Sequence, residues 1–352
     1  MMLNLLLIGI THPCFFRVQR SDIESQGMRQ PVAVAVTGAT GFVGRALVRR
    51  LVALEVPCVR AAVRQVGHGL DPAVEVVMVD DLSADNRWHE FVAGIDVVVH
   101  CAARVHVLDE SAVDPQAEYF QANVAATLNL AEQAVAAGVR RFVFISSIKV
   151  NGEYSLAGSP FKASDPGRPE DPYGVSKQAA EQQLRELAAR TGMEVVIVRP
   201  VLVYGPGVKA NFLNMMRWLD KGVPLPLGAI NNRRSLVALE NLVDLLVTCL
   251  AHPGAANQTL LVSDAQDLST TELLKRVGKA LGKPARLLPV PMWLLSTLAA
   301  LLGKRAFSQR LCGSLQVDIE QTCTLLDWRP PVSVDQALRE TANHYLENKK
   351  HG

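Results

Sequence analysis

Beginning at Val32, the chain alternates short apolar runs with longer stretches whose apolar residues recur at helical spacing. The runs "VAVAV", "CVRAAVR", "VEVVMVD", "IDVVVHCAA", "RRFVFISS" and "MEVVIVRP" predict strands. "FVGRALVRRLVAL", "AEYFQANVAATLNLAEQAVAAG" and residues 173–191 predict helices between them. Strands that alternate with helices imply a parallel sheet covered on both faces. The expected fold is therefore α/β, a doubly wound parallel sheet, with its ligand at the carboxyl ends of the strands.

After Pro200 the rhythm breaks and Gly and Pro become frequent, as in "YGPGVKANF" and "KGVPLPLG". "SLVALENLVDLLVTCLA" reads as a short strand plus a helix, and "TLLVSD" as another strand. "STTELLKRVGKALGK" opens like a capped helix, with Ser269 at the N-cap and Glu272 three residues on. The expected organisation is a dinucleotide-binding domain over 31–199, to which the chain partly returns around 235–250. A smaller α/β substrate-binding domain, 200–234 and 251–345, lies over its crevice. Residues 1–27 precede the first strand as an extension, disordered or lying ahead of a start at Met28.

Composition narrows the class. The 352 residues are 49% hydrophobic and 20% charged, enough for a sizeable core. A net charge of +2 points to no nucleic-acid partner. Six scattered cysteines, with no C-x-x-C pair, read as reduced thiols in a cytoplasmic protein. "LNLLLIGI" near the start and "MWLLSTLAALLG" at 292–303 both fall short of the roughly 20 residues that a spanning helix needs. No transmembrane segment is expected, and 292–303 reads as a buried or interfacial helix.

Candidate chemistry begins at "TGATGFVGRAL", residues 37–47, between the first strand and the first helix. A glycine turn in this context holds a dinucleotide pyrophosphate against the helix N-terminus; the alternative is a turn without ligand. Gly38 permits the tight turn, Gly41 lets the backbone approach the pyrophosphate, and Gly44 allows close helix–sheet packing. Thr40, Phe42 and Val43 complete the loop. The second strand ends in "VRAAVRQ", with no acidic residue to bind a ribose 2′-hydroxyl. Arg64 there is the candidate partner of a 2′-phosphate, which favours NADP over NAD. If Arg64 stacks on adenine instead, the site takes both. Arg60 either helps or is merely solvated. Asp81 is placed to accept from the adenine amino group, or is a plain loop-starting residue. Leu82, and Ala102 after the fourth strand, join the cofactor set.

"PYGVSK" sets Tyr173 and Lys177 four residues apart, on one face of a helix. A free tyrosine, with a pKa near about 10, is a poor base at neutral pH. A nearby ammonium lowers that value, so Tyr173 is expected to exchange a proton with the substrate while hydride moves. Lys177 is also expected to hold the nicotinamide ribose. Ser146 and Ser147 end the fifth strand, and Ser147 is the candidate donor to the carbonyl. Alone, Y-x-x-x-K is an ordinary surface pair. After a glycine loop and a strand-end "SS", in that order, it reads as a hydride-transfer site.

With these motifs the chain resembles an extended short-chain dehydrogenase/reductase of the NAD-dependent epimerase/dehydratase type. The resemblance covers about residues 31–345. It rests on "TGATGFVG", "HCAA", "NVAATLNLAEQA", "FVFISSIKVNG", "PYGVSK", "RPVLVYGPG" and "LLDWRPPVSVDQAL". It implies a Rossmann domain, catalytic roles for Ser147, Tyr173 and Lys177, and a backbone-fixing role for Asn123. It also implies a UDP-sugar substrate, with Asn211 on its diphosphate or sugar and Arg234 (or Arg233) and Arg310 on its phosphates, and a homodimer. Two departures bear on the reaction. Epimerases of this type usually carry Tyr at the position of Asn151 and an acidic residue after the second strand, where this chain has Arg64. The expected activity is thus NAD(P)H-dependent reduction of a UDP-4-keto-6-deoxy-N-acetylhexosamine to UDP-N-acetylquinovosamine, or its C4 epimer, for bacterial surface polysaccharide. The alternatives are a UDP-sugar 4-epimerase with tightly held NAD, a small-molecule ketone reductase, and a non-catalytic NAD(P)-sensing protein.

Overall fold

The computed structural model describes residues 32–105, 114–156, 158–301 and 312–351. The amino-terminal extension and Arg310 lie outside them. The elements run β1 (Ala33–Thr37), α1 (Phe42–Ala53), β2 (Cys58–Val63), β3 (Glu75–Met78), α2 (His89–Val92) and β4 (Val97–His100). Next come α3 (Pro115–Phe120), a π-helical turn (Gln121–Ala125) and α4 (Ala126–Ala136). β5 (Arg141–Ile145), α5 (Pro172–Thr191), β6 (Glu194–Pro200) and β7 (Leu202–Tyr204) follow. The remainder is α6 (Ala210–Asp220), β8 (Leu236–Ala238), α7 (Leu239–Ala251), β9 (Thr259–Val262), α8 (Thr270–Ala280), α9 (Met292–Leu301), α10 (Glu320–Leu326) and α11 (Val334–His351).

The main sheet has seven parallel strands in the order β3-β2-β1-β4-β5-β6-β9. Both of its faces are covered, which is why β1 is buried at every residue. Val34 and Val36 enter one core layer with Leu47 and Leu51 of α1 and Leu242 and Leu246 of α7. Ala33 and Ala35 enter the opposite layer with Leu130 of α4 and Leu184 of α5. Strand order reverses between β1 and β4, and a crevice opens there at the strands' carboxyl ends.

A third core layer, with Phe212, Met216, Leu274 and Leu338, gathers α6, α8 and α11 beside the β7–β8 pair. One element differs from the sequence-based expectation. Thr259–Val262, grouped there with the carboxyl-terminal part, pairs with Ile197–Pro200 and forms the edge of the main sheet. Its apolar run carries no mark of which strand it pairs with.

Glycine is required at two places in the first turn. Gly38 has φ +65°, and a Cβ there would lie 2.7 Å from the Ala102 nitrogen. A Cβ on Gly44 would lie 2.3 Å from the Gly38 carbonyl oxygen. That neighbour is backbone in the same tight turn, so relief means moving α1 off the sheet. Gly44→Ala gains about 1 kcal/mol in helix propensity, but overpacking of this kind costs about 1–3 kcal/mol or more. The expected result is net destabilisation, read as a lower urea midpoint with an unchanged slope.

Candidate active site

The glycine turn stands at the reversal point of the sheet. Thr37 and His100 are register partners at the ends of β1 and β4. The His100 ring bridges the Thr37 hydroxyl (Nδ1 to Oγ1, 2.7 Å) and the Thr127 hydroxyl of α4 (Nε2 to Oγ1, 3.0 Å). Burial, with a smaller contribution from Lys177, pulls the imidazole down to about 3. It is therefore a neutral brace and no acid at physiological pH. The Ala102 N–H donates to Thr37 Oγ1, which brings Ala102 against Gly38.

Gly41 is the N-cap of α1 and supplies no side-chain cap. The first-turn N–H groups of the helix consequently have no side-chain cap. Thr40 and Gly41 are exposed, and Phe42 and Val43 are half-buried. Donors of this kind at a helix N-terminus, with no Cβ on Gly38 or Gly41 in the way, fit a diphosphate.

Arg64 follows β2 directly, is exposed, and makes no hydrogen bond or ion pair among the described residues. Its guanidinium is free for an anion. Arg60 is neither a helper nor solvated. It pairs with Glu75 (Nε to Oε2, 2.9 Å) and donates to the carbonyls of Glu90, Phe91 and Ala93 at the end of α2. Asp81 is exposed in the loop after β3, where its carbonyl accepts from Asn86, and Leu82 packs toward the core.

α5 carries the catalytic candidates. Asp171 caps it by accepting from the Gly174 N–H at 2.7 Å, Pro172 opens it, and Gly192 at φ +78° ends it. Tyr173 and Lys177 fall on one face, as their spacing predicts. Ser147, which follows β5, lies near enough to the Tyr173 phenol to favour its ionised form. Ser146 instead turns inward and donates to Glu181 at 2.5 Å. Of the two serines, Ser147 is the one that meets the phenol.

The electrostatics differ from the expectation. Burial raises the Tyr173 pKa, the Asp171 carboxylate adds to the rise, and the nearby Ser147 side chain offsets part of it. Lys177 does not act on the phenol here. Its Nζ donates to the Ile145 carbonyl at 2.8 Å and sits 4.3 Å from the centre of the Phe144 ring. Burial pulls its ammonium down to about 7, against opposing contributions from Glu181 and Cys101.

Three features around the site exceed what the motifs specify. Asn123, in the π-helical turn, accepts from the Arg104 N–H and donates to the Arg104 carbonyl and to Ser176. It holds the chain after β4 against α5, the role that the resemblance implies. Glu181, fully buried one turn beyond Lys177, accepts from Ser146, from Arg185 and, bidentately, from Nε and Nη2 of Arg199. Its i+8 spacing from Tyr173 was a usable signal. Asn151 is 2% exposed, accepts from Arg199 and donates to the Lys162 carbonyl. It braces a loop, so its departure from Tyr does not report on the sugar.

The described substrate candidates all follow β7 in the chain. Asn211 is exposed in the first turn of α6, and Arg233 is exposed beyond it. Arg234 is half-buried, donates to the Gly313 carbonyl at 3.1 Å and is bridged through its backbone to Leu268 and Leu315. Burial lowers its pKa, against the Glu153 carboxylate.

Two outcomes follow. Tyr173→Phe removes the proton carrier and keeps the ring, so turnover is expected to fall by about 10²–10⁴ while dinucleotide binding, read by fluorescence titration, persists. Lys177 concerns stability. The unfolded side chain titrates near about 10.4 and the folded one at about 7. Between these values the unfolded chain binds more protons, so this group makes stability rise with pH across that window. Lys177→Met is expected to flatten the rise, measured by urea unfolding at about pH 7.5 and about pH 9.5.

Comparison with known proteins agrees with this geometry. Residues 34–262 match the model of the NAD dependent epimerase/dehydratase family. The UDP-glucose 4-epimerase of Vibrio cholerae is 48% identical over 320 residues, covering 91% of this chain and 97% of the relative. The GDP-6-deoxy-D-mannose reductase of Pseudomonas aeruginosa is 28% identical, covering 86% and 94%. Among solved structures, UDP-glucuronic acid 4-epimerase from Bacillus cereus, in complex with NAD, has a TM-score of 0.74 at 20% identity, covering 91% and 98%. The chain belongs to the NAD dependent epimerase/dehydratase family, as an enzyme of the extended short-chain dehydrogenase/reductase type that uses NAD or NADP.

Proposed function

We propose that the chain is a UDP-sugar 4-epimerase that works with a retained NAD. One observation carries this reading: an intact Ser147, Tyr173 and Lys177 set in a chain 48% identical, over nearly its whole length, to a UDP-glucose 4-epimerase. This moves the balance away from the reductase that the sequence alone favours.

In this reading Ser147 donates a hydrogen bond to the C4 oxygen of the sugar. Tyr173 takes the C4 hydroxyl proton and returns it to the same oxygen once the sugar presents its other face. No reductant is consumed. A dinucleotide held at this site would supply reversible hydride exchange at C4 and, when oxidised, a cationic ring beside the phenol. The raised pKa of Tyr173 suits the return step, in which the phenol donates. The taking step needs a cationic neighbour to lower that value. Lys177 holds the ribose, and Gly38, Gly41 and the first turn of α1 hold the pyrophosphate. Asn211, Arg234 and Arg310 are assigned to the UDP-sugar phosphates or sugar, Asp81 to the adenine, and residues 200–234 and 251–345, apart from the main-sheet strand Thr259–Val262, to substrate binding. A cytoplasmic homodimer feeding surface polysaccharide synthesis belongs to the same reading.

Arg64 favours a second reading. A free guanidinium where NAD-retaining enzymes usually carry an acid suits an exchanging NADPH, and hence net reduction of a UDP-4-keto-6-deoxy-N-acetylhexosamine to UDP-N-acetylquinovosamine.

The two readings separate in one experiment. The purified protein is denatured and its released nucleotide identified, and fresh enzyme is mixed with UDP-glucose and UDP-N-acetylglucosamine without added cofactor. The epimerase reading expects near-stoichiometric NAD and conversion of either sugar to its C4 epimer. No released NAD and no conversion, with stoichiometric NADPH oxidation by the 4-keto-6-deoxy sugar, establishes the reductase instead.

A further inference from the structure

α9 has the sequence "MWLLSTLAAL". Its Trp293 is 68% exposed, Met292 and Leu294 are each 44% exposed, and Leu301 is 80% exposed. Leu288, just ahead of it, is 53% exposed. Large apolar side chains exposed this close together along one stretch are uncommon on a protein surface without a use for them. At ten residues the helix is about 15 Å long, half of the roughly 30 Å needed to span a bilayer. No helix among the described residues is long and apolar enough to cross a membrane.

The charge around α9 identifies its occupant. Between Glu272 and Asp318 the sequence holds eight Lys and Arg and no Asp or Glu. The whole chain is only +2, so the rest of it is net negative. Arg276 and Lys283 are paired with carboxylates from outside the stretch, Asp335 and Asp220. Lys275, Lys279 and Arg286 are exposed and make no ion pair among the described residues. Lys275 and Lys279 line one cleft with Pro284 and Ala285, on the chain that leads into α9. A second copy of this chain, docking the same face on itself, would set these cations against their own kind. An anionic lipid surface answers both features, accepting Trp, Met and Leu below the headgroups and attracting the lysines above them.

We propose that α9 lies in the interface of an anionic bilayer and holds the enzyme on the membrane surface. The contact does not depend on which C4 reaction the active site performs.

The test is flotation of the full-length protein with vesicles of phosphatidylcholine alone or with about 30% phosphatidylglycerol. The expected result is flotation with the anionic vesicles only, lost at high salt, with a blue shift of tryptophan emission. Trp293→Ser combined with Leu294→Ser is expected to lower the partition coefficient at least about tenfold. Lys275→Gln combined with Lys279→Gln lowers it by roughly tenfold. Both pairs are exposed, so the variants should keep wild-type circular dichroism and urea midpoints. Equal flotation with neutral vesicles would overturn the charge argument. No flotation, with a dimer in sedimentation that Leu294→Ser dissociates, would make the face a contact between copies and overturn the proposal. No flotation and no change in mass would overturn it as well.

Discussion

The catalytic geometry depends on one buried carboxylate. Glu181 has no exposed surface, and its two oxygens accept from Ser146 at the end of β5, from Arg199 of β6 and from Arg185 of its own helix. A slip of α5 by one residue would leave Arg199 buried and unpaired, which is far more costly than the pair itself is stabilising. The contact is therefore better read as a register pin than as a source of stability. It sets Tyr173 and Lys177, two turns and one turn before it on the same face, against the end of β5, where Ser147 follows Ser146. Arg199 passes the constraint on to Asn151, and Asn151 to the Lys162 carbonyl. The serine, the tyrosine and the loop over them thus share one electrostatic anchor.

A second constraint is steric and fixes the other wall of the crevice. Gly38 and Gly44 lack side chains where backbone passes within contact distance, so β1, α1 and the chain after β4 close on one another. His100 completes this wall as a neutral bridge between Thr37 and Thr127. The helix N-terminus and the catalytic face of α5 then converge from opposite sides of the strand-order reversal. Sheet topology brings the glycine turn near residue 40 and Tyr173 to the same end of the sheet.

Much of this was legible because it is local. Strands of a sheet covered on both faces read as unbroken apolar runs, so β1, β2 and β4 through β6 stand out in the sequence. A glycine turn between strand and helix, and Tyr173 and Lys177 at one helical repeat, are patterns of neighbours along the chain. β9 was harder, since four apolar residues look the same in a central sheet as in a peripheral one. The π-helical turn that aims Asn123 at Arg104 has no distinct composition.

What the sequence determined by itself was the order of the elements, the residue types of the site and the family to which they belong, because backbone conformation follows from short-range pattern. Only the tertiary structure decided which partners the polar side chains take. Arg60 looked available for a cofactor and is spent on Glu75 and the end of α2. Asn151 looked like a mark of the reaction type and is buried on Arg199. Lys177 looked aimed at the phenol and faces the Ile145 carbonyl. Arg64, by contrast, is left free at the end of β2. A long polar side chain reaches across several ångströms, so its partner is set by what burial brings near it and by no feature of its own stretch of chain.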